Sequence, residues 1–186
     1  MILINDRLQQ FDLEAAMPKL SEQRRKKLLQ YKGESDRCAS AAGYLLLREC
    51  LKQEYGISEL PIMEYGKYGK PRISGHEEIH FNISHCLRAA ICVVSDTPVG
   101  VDIETTDRYS TRLAEYTMNS EELQQIQKAK SPAIEFTRLW TMKEALLKMT
   151  GQGITNNTKD VLVNCTAHFE STLSADGEYI YTVCRP

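Results

Sequence analysis

The sequence predicts an α+β fold of two similar halves, 1–98 and 99–186, packed as a pseudo-dimer with a functional site in the groove between them. Three observations carry that expectation. A basic residue, a glutamate and an apolar helical run ending in Gly and Ile occur twice, as RECLKQEYGI (48–57) and KEALLKMTGQGI (143–154). Each run is followed by a block of short segments that alternate like strands. A chain of 186 residues is long enough for one large or two small units around a substantial core.

Taken in order, MILI opens as a strand. LSEQRRKKLLQYK (20–32) has the spacing of a basic amphipathic helix, with Leu20, Leu28 and Tyr31 inward and Arg24, Arg25, Lys26 and Lys27 toward solvent. Ser35 or Asp36 can cap a second helix that runs to about Tyr55 and stops at Gly56. Its small-residue run CASAAG (38–43) lets a neighbour approach closely. A strand is expected at 62–65, then a Gly- and Pro-marked turn, GKYGKPRI (66–73), and a strand IHFNISHC (79–86). RAAICVVSD (88–96) is apolar enough to be a strand buried on both faces, and a turn at 96–98 leads into the strand PVGVDIE (98–104).

Residues 105–116 read as a loop with a short helix. Asn119 and Glu122 have capping-box spacing ahead of a polar helix reaching about Lys130. Ser131 and Pro132 open a long helix with Leu139, Met142, Leu146 and Met149 as its buried stripe, closed by Gly151 and Gly153. Strands are expected around Val161, His168 and Tyr179, with a turn at Asp176 and Gly177.

Composition limits the function classes. A net charge of −2 does not suit a nucleic-acid binder, so acidic partners must be met by local basic clusters. The six cysteines form no C-x-x-C pair, which removes support for zinc-ribbon or thioredoxin-like chemistry. MILINDRLQQ has no apolar core of signal-peptide length, and no apolar run approaches the roughly 20 residues that span a bilayer. Free thiols in a reducing cytoplasm, with no membrane association, are the expectation.

The chemistry concentrates in VGVDIE (99–104) and LWTMKEALLKMTG (139–151). On a strand, Asp102 and Glu104 share a face roughly 7 Å apart while Val101 and Ile103 turn the other way. On a helix, Glu144 and Lys148 stand at i and i+4, beside Thr137 and Thr141. Packed together, the two elements bring three carboxylates and the lysines Lys143 and Lys148 into one place, which suits Mg²⁺ and a polyphosphate. Separately, each has an ordinary reading, a solvated strand edge and a surface ion pair worth about 0.3–0.5 kcal/mol.

Jointly, Gly100-Val101-Asp102 and, after a gap of 37 residues, Trp140-Thr141-Met142-Lys143-Glu144-Ala145-Leu146-Leu147-Lys148 resemble the signature of the 4′-phosphopantetheinyl transferase superfamily. A second match, GKP (69–71) followed by FNISH (81–85), also looks like this family. The repeat of halves is similar to the larger, monomeric, surfactin-synthetase-activating type. The resemblance covers roughly 24–154.

It implies transfer of the 4′-phosphopantetheine arm of coenzyme A to a serine of an apo acyl or peptidyl carrier protein, with release of adenosine 3′,5′-bisphosphate. It implies Mg²⁺, with Mn²⁺ as an alternative, held by Asp102, Glu104 and Glu144. Glu144 or a metal-bound water would take the serine proton, and Lys148, helped by Lys143, would meet charge on the leaving phosphate. Coenzyme A would be bound by Arg24, Lys27, Lys70, Pro71, Ser84, His85, Lys143 and Lys148. The sequence departs from the family near Ala39, where a basic residue is usual; Arg37 points elsewhere on the helix by about 200°. A metal-dependent phosphodiesterase or pyrophosphatase and a non-catalytic carrier-binding module are the alternatives.

Overall fold

The computed structural model describes residues 1–66, 69–153 and 157–186. Lys67 and Tyr68 of the expected turn, and Ile154 at the end of the second repeat, lie outside the described residues. The fold is α+β.

Strand β1 (Ile2–Asn5) leads through α1 (Leu13–Ala16) and α2 (Glu22–Leu28) to the long helix α3 (Glu34–Tyr55), the hairpin β2 (Met63–Tyr65) and β3 (Pro71–Ile73), then β4 (His80–His85) and β5 (Ala90–Ser95). After them come β6 (Gly100–Thr105), α4 (Thr111–Thr117), α5 (Ser120–Lys128), α6 (Pro132–Thr150), β7 (His168–Leu173) and β8 (Tyr179–Arg185). The first sheet has the order β1-β5-β4 and the second β6-β8-β7, all pairs antiparallel. In both halves, therefore, a strand and a long helix precede a strand pair whose last member takes the centre of the sheet.

Side-chain alternation explains how the layers stack. On β5, Cys92 and Val94 join Tyr44, Leu47 and Leu51 of α3 and Phe81 of β4, while Ile91 and Val93 turn to the opposite face. There they meet Val101 and Ile103 of β6 and Val183 of β8. This second cluster welds the halves together, each buried aliphatic side chain contributing about 1.5–3 kcal/mol. With the odd residues of β6 committed to that core, its even residues Gly100, Asp102 and Glu104 face α6.

Helix ends follow local chemistry. Gly56 closes α3 in the left-handed conformation (φ 68°), and Asn119 and Glu122 form the expected capping box at α5. Ser21 caps α2 by accepting from Arg24 N. Among the described residues no helix is long and apolar enough to cross a membrane, and the six cysteines are free.

Several expectations need correction. The basic helix is confined to Glu22–Leu28, and Arg24 is buried against α3 instead of facing solvent. The cap of α3 is Gly33, with no side-chain bond, in place of Ser35 or Asp36. Pro71–Ile73, read as turn, is a strand, since Pro71 sits at the hairpin end where its missing N–H costs little. No strand forms at Val161: the chain there turns after a 3₁₀ segment at Thr158–Asp160, whose carbonyls are used by a buried lysine. The stripe of α6 is only partly right. Leu139 is buried, but Met142, Leu146 and Met149 are half-buried, because α6 is covered by sheet on one side and by α5 on another, which buries Thr137, Thr141, Lys143, Ala145 and Leu147 instead.

The closest packing lies between β6 and α6. A Cβ on Gly100 would run into the carbonyl oxygen of Ala145 and stand 2.6 Å from the amide nitrogen of Met149. Both are backbone atoms and cannot swing away. Gly100→Ala should therefore lower the unfolding free energy by about 2–3 kcal/mol. Urea titration should show a lower midpoint with an unchanged slope.

Candidate functional site

The site forms where β6, the end of β4 and the last turns of α6 meet. Gly100 lets α6 lie close enough to β6 for Asp102 and Lys148 to touch, and β4 brings Ser84 across from the other half. Asn82 prepares that crossing, its Oδ1 accepting from the backbone N–H of Val101 at 3.0 Å, where no strand ladder joins the two sheets. On the other flank of β6, Thr182 pairs in register with Asp102 and shares a 2.7 Å hydrogen bond with Thr141 of α6.

Asp102 is 3% exposed. Its Oδ1 accepts from Ser84 Oγ at 2.8 Å and from Lys148 Nζ at 2.5 Å, and Lys148 Nζ also donates to Ser84 Oγ at 2.9 Å. Its Oδ2 is buried with no hydrogen-bond partner among the described residues. Glu104, two residues along the strand, is held by Arg108 at 2.8 Å. Glu144 is 7% exposed.

The carboxylates act on one another. Burial first, and then the charge of Asp102, pushes the Glu144 carboxyl above its ordinary value, with Glu104 adding to the rise and Lys148 opposing it. Glu104 is raised in the same way, by burial and then Asp102, against the pull of Arg108. No three carboxylate, His or Cys side chains among the described residues stand close enough to ligate one ion as they are. The oxygen set nevertheless fits a hard divalent cation: Asp102 presents an unsatisfied buried oxygen, and the two glutamates are raised by acidic neighbours, a repulsion that a cation relieves.

The remaining residues expected at the site fall in more than one place. Lys70 lays its stem against Gly151 and donates from Nζ to the Met149 carbonyl at 2.6 Å, at the negative end of α6. Burial lowers its pKa. With Pro71, Asn82, Glu144 and Lys148 it lines a cavity of about 260 Å³. His85 ends β4 and borders a second cavity of about 510 Å³ with Phe11, Asp36 and Ala39. The residue is exposed, yet the protein packed around the ring, and then the Lys148 ammonium, hold its pKa below the ordinary value.

Arg24 donates to Ser40 Oγ at 3.3 Å and lies over the Tyr44 ring, 5.2 Å from its centroid; burial lowers its pKa. Its charge also reaches His85. Lys27, further out, bonds the Tyr65 hydroxyl at 3.1 Å. Lys70 and Lys148 thus share a cavity with Glu144, beside Asp102 and Glu104, which suits a polyanion with a bound cation.

Lys143 does not join this group. Its ammonium is buried on another side of α6, 2.7 Å from Glu122 Oε2, and it bonds the carbonyls of Thr117, Thr158 and Lys159. Helical geometry explains the miss: neighbouring residues project about 100° apart, so Lys143 and Glu144 cannot serve the same wall. Sequence reasoning also passed over Asn82, Glu122 as a charge partner, and Arg108. Asn82 left a signal, a polar side chain in an otherwise apolar strand that must find a bond when buried.

The raised Glu144 carboxyl has a stability consequence. Below the unfolded value of the carboxyl, Glu144 is protonated in both states and costs nothing; the penalty grows as pH rises toward the folded value and is complete above it. Glu144→Gln should therefore raise the melting temperature at pH 7 in the presence of a chelator, and the gain should vanish near pH 4. Calorimetry across that range is the check.

Comparison with known proteins accords with this geometry. A family model described as the 4′-phosphopantetheinyl transferase superfamily matches residues 98–184, the segment that holds β6, α6 and the second sheet. A 4′-phosphopantetheinyl transferase of Bacillus subtilis is 30% identical over 187 residues, covering 90% of this chain and 83% of that protein. The 4′-phosphopantetheinyl transferase Sfp of Bacillus subtilis strain 168 is 31% identical over 150 residues, 79% of this chain and 67% of that one. The 4′-phosphopantetheinyl transferase gsp of Aneurinibacillus migulanus is 33% identical over 138 residues, 73% and 57% respectively. With relatives this similar over most of its length, and with the motif residues Gly100, Asp102, Glu144 and Lys148 meeting at one seam, the chain belongs to the 4′-phosphopantetheinyl transferase superfamily.

Proposed function

We propose that this protein transfers the 4′-phosphopantetheine arm of coenzyme A to a serine hydroxyl of an apo acyl or peptidyl carrier protein, with Mg²⁺, releasing adenosine 3′,5′-bisphosphate. The observation that carries the reading is the Asp102, Ser84 and Lys148 contact at the seam, with one Asp102 oxygen left over for a cation. The names of the relatives support the same reaction class.

The new bond joins the serine oxygen to the phosphorus on the pantetheine side of the pyrophosphate. The bond from that phosphorus to the bridging oxygen breaks, and adenosine 3′,5′-bisphosphate leaves with the electron pair. Such a step depends chiefly on in-line positioning and on neutralising charge at the transferring and leaving oxygens. Mg²⁺, when bound, would supply that neutralisation, and Asp102, Glu104 and Glu144 would hold it.

Lys148 gives a donor to the phosphate oxygens beside Asp102 and meets the charge that builds on the leaving phosphate, and Ser84 joins it there when its hydroxyl turns from Asp102 to the nucleotide phosphate. His85 and Lys70 orient the nucleotide on either side of them, Pro71 lines the pocket wall, and Arg24 and Lys27 receive its 3′-phosphate. Glu144, the carboxylate on α6 beside Lys148, accepts the serine proton directly or through a water. In this reading the halves 1–98 and 99–186 are subdomains related as a pseudo-dimer, one chain carries the whole site, and the protein works as a monomer in the cytoplasm.

Intact mass spectrometry of a candidate apo carrier, incubated with the protein, coenzyme A and Mg²⁺, tests the reading. One added pantetheine arm per carrier is expected, with product formation that needs the carrier. Release of bisphosphate from coenzyme A alone would instead point to a hydrolase. Glu144→Gln and Asp102→Ala should each abolish the mass gain while circular dichroism remains that of the folded protein.

A further inference from the structure

We propose that Lys143 is a positioning residue, holding α6 at the rotation that turns Glu144 and Lys148 toward Asp102. The inference rests on the transferase reading for its kinetic consequence and on geometry for the rest. At 1% exposure Lys143 cannot touch a substrate. Its ammonium meets Glu122 Oε2 and the Thr158 carbonyl at 2.7 Å each, the Thr117 carbonyl at 3.3 Å and the Lys159 carbonyl at 3.4 Å. Those acceptors belong to the end of α4, the first turn of α5 and the 3₁₀ turn at Thr158–Asp160.

The brace extends beyond the ammonium. Glu122 also accepts from Asn119 N at 2.8 Å, and Asn119 Nδ2 donates to the Lys159 carbonyl at 3.2 Å. One cation therefore ties three segments to α6. On another side the helix is stopped by Gly100 and pinned by the bond between Thr141 and Thr182. These contacts restrain α6 against rolling, and Glu144, about 100° round from Lys143, faces the carboxylates of β6.

Stability alone does not account for so buried a pair. Apolar side chains of similar volume fill such a space with equal or better stability. They cannot bond carbonyls on two segments and a carboxylate on a third at once, and that directional constraint is what Lys143 supplies.

The test uses Lys143→Met and the double variant Lys143→Met with Glu122→Gln. The second removes the stranded charge and keeps an acceptor for Asn119 N. Three quantities are read: melting temperature, Mn²⁺ affinity by electron paramagnetic resonance of the free ion, and kcat with KM for coenzyme A on a carrier that the unaltered protein loads. The single variant should lose melting temperature and the double should regain it. In both, Mn²⁺ affinity should fall about tenfold and kcat about 10- to 100-fold, with KM for coenzyme A unchanged. Recovery of Mn²⁺ affinity and kcat together with melting temperature in the double variant would overturn the proposal. So would an undisturbed kcat in a folded single variant. If the unaltered protein loads no carrier, the transferase reading fails while the Mn²⁺ titration still decides the role of Lys143.

Discussion

The constraint on which the site depends is the absence of a side chain at position 100. A helix and a strand normally keep a side-chain layer between them, yet here the Ala145 carbonyl and the Met149 amide lie where a Cβ would be. This depth is what allows a short aspartate on β6 to reach a lysine on the last turns of α6 with a 2.5 Å contact. Each residue of Gly100-Val101-Asp102 therefore has its own physical task. The glycine sets the approach, the valine anchors the strand in the core between the halves, and the aspartate uses the separation the other two fix.

That arrangement is electrostatically costly. Asp102 and Glu144 are nearly enclosed, their charges repel, and Glu104 adds to the repulsion. Lys148 and Arg108 relieve part of it. The remainder is carried by apolar packing, chiefly the cluster of Ile91, Val93, Val101, Ile103 and Val183. A cluster of like charges maintained against its own repulsion favours a cation, whose arrival relieves that repulsion once the carboxylates close around it.

Much of this was readable from residue order. Alternation in VGVDIE separated core from site, the Asn119 and Glu122 spacing gave a capping box, and Gly56 and Gly151 marked helix ends. What escaped depends on which wall a side chain meets, and that is a tertiary property. Lys143 shares a motif with Glu144 but projects to a different neighbour, and its partner Glu122 lies 21 residues away. Arg24 belongs to a charge run that reads as solvated, yet Ser40 and Tyr44 form a polar and aromatic seat that lets the guanidinium lie under α3. Val161 sits in an apolar run that reads as a strand, whereas the preceding carbonyls are drawn to a buried ammonium.

The seam also explains why neither half could hold the site alone. Asn82, Ser84 and Lys70 come from the first half, and each donates to or accepts from the second: Val101 N, Asp102 Oδ1 and the Met149 carbonyl. These bonds join the side chains of one half to the backbone or the acid of the other, at the same points where the cavity lined by Lys70, Asn82, Glu144 and Lys148 opens. Parting the halves by the length of one hydrogen bond would strip Asp102 of Ser84 and α6 of its C-terminal cation together. The packing between the sheets and the spacing of the charged groups are thus a single variable, and the residues that stabilise the seam set the geometry of the chemistry.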